Sequence, residues 1–452
     1  MRPAAWYKHF MPTALLYTLG AFALILVLAR FRVPLAAAIL GGTVALGVAL
    51  GLNAGDLLRA AVAGLTAPMS LALMLITLLL PALSEIMRQT GQMERIVSAA
   101  RAFFRRPAVT MAALPALIGL LPMPGGALFS APMVESAAGG KPVGAGKLSA
   151  FNYWFRHIWE HWWPLYPGVI LAMTLTQTPA WRFIVFQIPL GLFMAVAGAP
   201  LFFGLHPDLH ARSPHVSSET KRQMLKVTSS IWIIVLAYVL GAVALHLGVG
   251  PAPMQLPGQP ALTAGQEWLS LAHKFGPFLV GLAASLLWTA RMNRMPWSGV
   301  GKVFARPGLY ALVVLVASVM IFQAVLKAGG AAPKIAAELA ALHVPTELVI
   351  MALPCIAGLV TGLAFGFVGT SFPIVLPLAA AAANGAPLAP YVALAYAFGH
   401  LGQMSSPIHL CHVVSNQYFK TPFGPVYRQI WLPMLLAGVM TLAYFFALRA
   451  IL

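Results

Sequence analysis

The chain has 452 residues, 60% of them hydrophobic and only 8% charged, with a mean hydropathy of +0.84. A soluble domain carries roughly 25% charged residues, so this composition excludes a soluble enzyme or binding module and places the chain in a bilayer. The formal charge of +18 comes from 28 Lys and Arg scattered through many short loops, which excludes a nucleic-acid partner and fits the excess of positive charge on cytoplasmic loops.

Apolar stretches of about 20 residues, the length that crosses a hydrocarbon core, recur along the whole chain and leave no room for a separate soluble domain. The first, Thr13 to Leu28, is followed by Arg30 and Arg32 instead of a small-residue cleavage site, and is expected to be a retained span. Hydropathy and loop charge predict ten crossings, near 11–29, 33–52, 67–87, 148–177, 181–205, 227–249, 275–290, 307–327, 388–419 and 429–450. Two further apolar segments, 108–138 and 347–384, are interrupted by Pro and Gly near their middles. Loop charge balances only if each enters and leaves on one side, so both are predicted to be re-entrant hairpins. With the N-terminus outside, the cytoplasmic loops collect nineteen of the Lys and Arg, although Arg2 and Lys8 oppose that orientation. Cys355 and Cys411 form no spacing motif, so neither a disulfide framework nor a metal knuckle is expected.

The chain carries an internal repeat. Ala113-Leu114-Pro115 with Gly119-Leu120 returns as Ala352-Leu353-Pro354 with Gly358-Leu359, a shift of 239. A shift of 243 then pairs Gly126 with Gly369, Phe129 with Phe372, Tyr153 with Tyr396, Phe155 with Phe398, His157 with His400 and Pro164 with Pro407, and sets Glu160 opposite Gln403. An odd number of complete crossings separates equivalent elements, so the halves are expected to be inverted: residues 1–205, a basic cytoplasmic linker at 206–226, and residues 227–452. Each half holds a hairpin and a long helix broken by proline, at Trp159 to Pro167 and at Gly402 to His409. The expected fold is therefore all-α and polytopic, with two inverted-topology repeats.

Leu121-Pro122-Met123-Pro124-Gly125-Gly126-Ala127-Leu128-Phe129-Ser130-Ala131-Pro132 and Asn152-Tyr153-Trp154-Phe155-Arg156-His157-Ile158-Trp159-Glu160 resemble an uncharacterised bacterial and archaeal membrane family within the ion-transporter superfamily. That superfamily includes divalent-anion sodium symporters, citrate carriers and gluconate permeases. The resemblance implies a homodimer in the inner membrane, with a scaffold, a mobile transport domain and an elevator-like motion. Sodium-coupled dicarboxylate relatives carry Ser-Asn-Thr motifs at hairpin tips and helix breaks. Here Gly369-Thr370-Ser371 and Ser405-Ser406 offer hydroxyls in the second half, whereas the first tip reads Met123-Pro124-Gly125-Gly126 beside a Trp-rich break. Symmetric sodium coupling is thereby put in doubt.

Pro124, Gly125 and Gly126 let backbone approach a ligand closely, or they merely turn the hairpin. Thr370, Ser371, Ser405 and Ser406 supply hydroxyls to an ion or carboxylate, or act as helix-packing glue. Arg156, His157, Glu160 and His161 fall inside a predicted span, where charge is costly and is either paired or functional. On a continuous helix Arg156 and Glu160 stand one turn apart and could pair. The functional alternative makes Arg156 an anion counter-charge and Glu160, His157 and the repeat partner His400 proton carriers. His157-Ile158-Trp159-Glu160-His161 also matches the H-x-x-E-H pattern of zinc proteases, which would make this an intramembrane hydrolase. His409, Cys411 and His412 could hold a soft metal, but packing is the expected role at a helix break. The tryptophans Trp154, Trp159, Trp162 and Trp163 wall a cavity or form an interfacial belt, the belt being preferred. Glu85 and Glu135 sit toward cytoplasmic ends and are left outside the site.

The expected function is secondary active transport of a small, anionic solute by alternating access, with proton coupling favoured over sodium. No enzyme activity, cofactor or metal is expected, and no nucleotide motif points to an ATP-driven pump. An intramembrane zinc hydrolase and a translocase for lipid-like amphipaths are the alternatives.

Overall fold

The computed structural model describes residues 13–104, 106–120, 126–211, 218–250, 253, 263–331, 334–335, 337–338 and 345–452. In chain order the helices are α1 (Thr13–Arg30), α2 (Leu35–Ala49), α3 (Ala54–Thr66), α4 (Pro68–Gln89), α5 (Gln92–Phe103), α6 (Pro107–Gly119), α7 (Ala127–Ala138), α8 (Ala145–Arg156), α9 (Pro167–Leu175) and α10 (Ala180–Ala197). They continue as α11 (Ser218–Val227), α12 (Ser229–Val249), α13 (Ala264–Met292), α14 (Trp297–Phe304), α15 (Pro307–Ala328), α16 (Thr346–Thr361), α17 (Ala364–Ala383), α18 (Ala389–Ser405), α19 (Leu410–Tyr418) and α20 (Phe423–Ile451). No strand occurs among the described residues.

Eight of these segments are long and apolar enough to cross a bilayer. Seven correspond to predicted crossings, and the eighth is α17, which hydropathy and loop charge place in a hairpin arm. The two predicted broken spans resolve into pairs of short helices, α8 with α9 and α18 with α19. At 13 and 12 residues, α6 and α7 are each too short to span. The predicted linker is more structured than expected, since it contains the helix α11.

Both breaks fall where proline requires them, with shifted limits. The first is expected from Trp159 to Pro167, but α8 stops at Arg156 and the chain runs as turns to Tyr166 before Pro167 opens α9 at its first turn. Pro164 cannot donate to the turn before it and disfavours helix at Trp163, so α8 has no route through this stretch. The second break is expected from Gly402, but α18 runs to Ser405 and only residues 406–409 are non-helical.

By backbone contacts the chain groups into two compact units, which cut across the two repeat halves. One comprises residues 1–67, 315–406 and 442–452. Here α1 packs on α2 and α16, and the hairpin α16–α17 packs on α18. Asn53 and Asp56 form a reciprocal capping box that starts α3. Glu338 accepts hydrogen bonds from the amides of Ala14 and Leu15, at 3.0 and 2.7 Å, and so neutralises the exposed donors at the start of α1.

The other unit comprises residues 68–314 and 407–441. Its hairpin α6–α7 packs on α8, and α19 packs on both α7 and α8. Gln92 on α5 donates to Ser230 at 2.9 Å, Ser230 meets Thr289 at 2.7 Å, and Asn293 returns to Gln92 at 2.7 Å. Asn293 also donates to the Thr289 carbonyl at 2.8 Å, and this closed polar chain ties α5, α12 and the end of α13 together.

The same close approach recurs once in each unit, at equivalent positions of the repeat. A Cβ at Gly119 would collide with the carbonyl oxygen of Arg156, and a Cβ at Gly358 would collide with that of Gly399. These pairs are related by the shifts of 239 and 243 residues read from the sequence. Glycine lets the hairpin arm lie directly on the backbone of the following helix, because any side chain would hold them apart.

Candidate functional site at the first helix break

Arg156 is the last residue of α8 and is 3% exposed. Its guanidinium lies against Gly126, the residue that opens α7: a methyl group built there would sit 2.5 Å from Cζ and 2.6 Å from Nη1. The hairpin's returning arm and a buried cation therefore meet at the end of α8. Pro124 and Gly125, also expected there, lie outside the described residues.

Four rings gather beside it. Tyr153 stacks on His412, with centroids 4.4 Å apart and planes at 14°, and meets His157 and His409 edge-on at 5.0 and 5.3 Å. His157 and His409 are themselves 4.7 Å apart. The Nδ1–H of His157 donates to the Tyr153 carbonyl at 2.6 Å, while Tyr153 Oη is 3.0 Å from His409 Nδ1. The Cys411 sulfur lies within 4.8 Å of a ring nitrogen of both His157 and His409, and Glu160 Oε1 is 3.8 Å from His157 Nε2. All of these residues are less than 9% exposed.

The polar layer continues on the facing sides of α8 and α19. Ser149 donates to Asn416 at 2.6 Å, and Asn152 donates to Ser415 at 2.8 Å and to the Ala127 carbonyl at 3.0 Å. None of these four residues stands out in the sequence as a site candidate. The available signal is polar residues on two apolar helices, which is too common to point at one another across 263 positions.

The helix-face pairing of Arg156 with Glu160 and the H-x-x-E-H zinc geometry both require a helix through 157–161. That segment is non-helical, so helical i,i+4 spacing sets neither arrangement. His157 instead faces residues of α19.

The tryptophans have a role that neither sequence alternative contains. Trp159 Nε1 donates to the Ala116 carbonyl at 2.7 Å, Trp163 Nε1 to the Leu120 carbonyl at 2.9 Å, and the Tyr166 hydroxyl to the Gly119 carbonyl. Gly119 and Leu120 stand at the end of the α6 arm, and Ala116, whose carbonyl also takes the Leu120 amide at 3.2 Å, lies one turn before it. The aromatic break is thus the cap of the hairpin arm. The second hairpin ends differently, with Gly362 in the left-handed region at φ 63° returning its amide to Gly358. Trp159→Phe and Trp163→Phe are each expected to cost about 1 kcal/mol, because each removes a hydrogen bond to the end of the α6 arm. Thermal unfolding of the purified protein measures this, and unchanged midpoints would restore the interfacial-belt reading.

In the other unit, Gly369, Thr370 and Ser371 lie inside α17 and not at the hairpin turn, which is Gly362–Leu363. Thr370, Ser371 and Ser405 donate to carbonyls four residues back, at 2.8, 2.6 and 2.8 Å. Ser406 and His400 are fully buried. Glu85 is engaged with Arg88 and Arg306, and Glu135 with Tyr418.

A family profile described as "Protein of unknown function (DUF401)" matches residues 13–248 and 276–447. The chain belongs to the DUF401 family. Both hairpins and both breaks fall within the DUF401 match. No curated protein matches this DUF401 chain significantly. Among solved structures it is similar to the YdaH transporter of Alcanivorax borkumensis, described as having an unusual topology, with a TM-score of 0.53 and 16% identity over 86% of each chain. At that identity the likeness is one of fold, and the DUF401 chain is a multi-pass helical membrane protein of that architecture.

Proposed function

We propose that this chain is a secondary active transporter of a small anionic solute, working by alternating access and driven by protons in preference to sodium. The observation that carries this reading is Arg156, a buried permanent cation held where a helix stops and a hairpin arm begins. Charge at that depth is expensive, and broken helices beside hairpins are where transporters place their sites. The transporter fold of YdaH supports the class alone.

Arg156 and Gly126, with Pro124 and Gly125 assigned from the sequence, hold the negative charge of the solute. Glu160 and His157, 3.8 Å apart, carry protons, with His400 as the second half's counterpart. Gly369, Thr370, Ser371, Ser405 and Ser406 are assigned to substrate binding by the repeat and not by geometry. The halves 1–205 and 227–452 are inverted, and the protein works as an elevator-type homodimer of the ion-transporter superfamily in the inner membrane.

A thermal-stability screen of purified protein against organic and inorganic anions, at several pH values and with or without sodium, tests this. A true ligand at 100 times its Kd adds about 2.7 kcal/mol. Stabilisation by an anion is expected, with a pH dependence that Glu160→Gln removes. Stabilisation by sodium alone, unchanged in Glu160→Gln, would sink proton coupling.

A further inference from the structure

The His157, His409 and Cys411 cluster has no part in holding an anion, and its chemistry points elsewhere. One donor atom from each residue, two imidazole nitrogens and a sulfur, lies within 4.8 Å of the others, and all three residues are buried. First-row metals bind nitrogen and sulfur at about 2.0–2.3 Å, which sets the ligands of a trigonal site about 3.5–3.8 Å apart, so an ion would draw the donors in by about 1 Å.

Both imidazoles are already oriented for ligation, and by one residue. The Tyr153 carbonyl takes the Nδ1–H of His157, and the Tyr153 hydroxyl lies at 3.0 Å from Nδ1 of His409. With the Nδ1–H of His409 directed to that hydroxyl, Nε2 of each ring is the ligand position. Anchoring of the far ring nitrogen is what metal-binding histidines require, since it fixes both tautomer and ring plane. Cys411 lies in the first turn of α19, whose N-terminal end suits a thiolate ligand.

We infer that His157, His409 and Cys411 form a three-coordinate site for a soft monovalent metal ion, copper(I), with Tyr153 as the residue that orients both imidazoles. One thiolate and two imidazoles form a soft donor set suited to copper(I) or zinc(II). Charge decides between them. Copper(I) replaces the thiol proton of Cys411 one for one: the S–H bond breaks, the Cu–S bond forms, the proton leaves to solvent, and the charge of the buried site is unchanged. Zinc(II) would leave the buried site one positive charge higher, beside the Arg156 guanidinium and with the Glu160 carboxylate 3.8 Å from His157 Nε2 as the facing counter-charge. The inference goes beyond the transport reading and does not rest on it; with the metal bound, Nε2 of His157 is a ligand and proton carriage falls to Glu160 alone.

The test is anaerobic titration of full-length protein in detergent with copper(I), buffered by a chromophoric chelator, followed by X-ray absorption at the copper edge. About one copper per chain is expected, with one sulfur and two nitrogen neighbours. Cys411→Ser and His409→Gln should each weaken retention by about 100-fold or more, while Cys355→Ser should not. Monodispersity on size exclusion shows that each variant is folded, and Tyr153→Phe, which keeps the ring and the carbonyl, should weaken binding by about 10-fold. Substoichiometric copper in the wild type, retention undiminished in Cys411→Ser, or tighter binding of zinc(II) than of copper(I) would each overturn the assignment. None of these readouts depends on a transported solute, so failure of the metal site and failure of the transport reading are told apart.

Discussion

Arg156→Gln is expected to abolish anion-dependent stabilisation of the purified protein and anion flux in proteoliposomes, weakening apparent affinity by about 100-fold or more. Loss of one partner of a desolvated charge pair typically costs about 2–5 kcal/mol. The contact with Gly126 supplies an independent route to the same outcome. Gly126→Val leaves the charge in the chain but occupies the place of the guanidinium, and should reproduce the loss. A scaffolding role makes the opposite prediction: the ligand-free protein would melt earlier in Arg156→Gln, and the shift produced by an added anion would survive. Isothermal titration on both variants, together with melting curves without ligand, separates the two.

Gly119→Val and Gly358→Val are expected to be the most damaging single substitutions to folding, each by about 3 kcal/mol or more. The opposing atom in both cases is a backbone carbonyl oxygen within a helix, which cannot swing away as a side-chain tip can, so the whole hairpin arm would have to move. The two variants should fail alike, since they disrupt the same contact in its two copies. Gly144→Ala is the control: nothing lies within 4 Å of its added methyl and its φ is −60°, so it should stay within about 0.5 kcal/mol of wild type. Fluorescence-detected size exclusion of membrane extracts ranks all three.

Much of the helical layout is legible in the sequence because membrane insertion writes itself into composition. Stretches such as Ser229–Val249 and Pro307–Ala328 have no reading other than a span. The breaks are also legible, since Pro164, Pro167 and Pro407 each forbid a continuous ladder. Their limits are not: the last residue of α8, Arg156, is pressed against Gly119 and Gly126 of the hairpin, and nothing in the local pattern moves the boundary there from Trp159. The amphipathic α3 escapes notice although its Asn53–Asp56 capping box is in view, because a search for spans discards polar helices.

The site is legible by residue type and illegible by partnership. His157 stands out as a buried histidine, yet its neighbours His409 and Cys411 are about 250 positions away, and only the packing of α19 on α8 joins them. The partners of the tryptophans are hidden for a similar reason. An indole ring in a membrane protein suggests an interface, whereas the carbonyls at Ala116 and Leu120 that employ Trp159 and Trp163 lie 43 residues back. In the second half the hydroxyls of Thr370 and Ser371 look like a hairpin turn because sequence alone does not reveal that α17 begins at Ala364, a turn and a half earlier.

The indoles that cap the hairpin arm carry one more consequence. Trp159, Trp162 and Trp163 hold their ring centres 5.5 to 6.4 Å apart at steep mutual angles, close enough for their electronic transitions to mix. Such coupled, chirally arranged chromophores give circular dichroism far stronger than isolated rings do. Because two of the three are fastened to the carbonyl end of α6, undocking of that arm would rotate them and erase the signal. The protein therefore carries a label-free optical gauge of whether its first hairpin is seated.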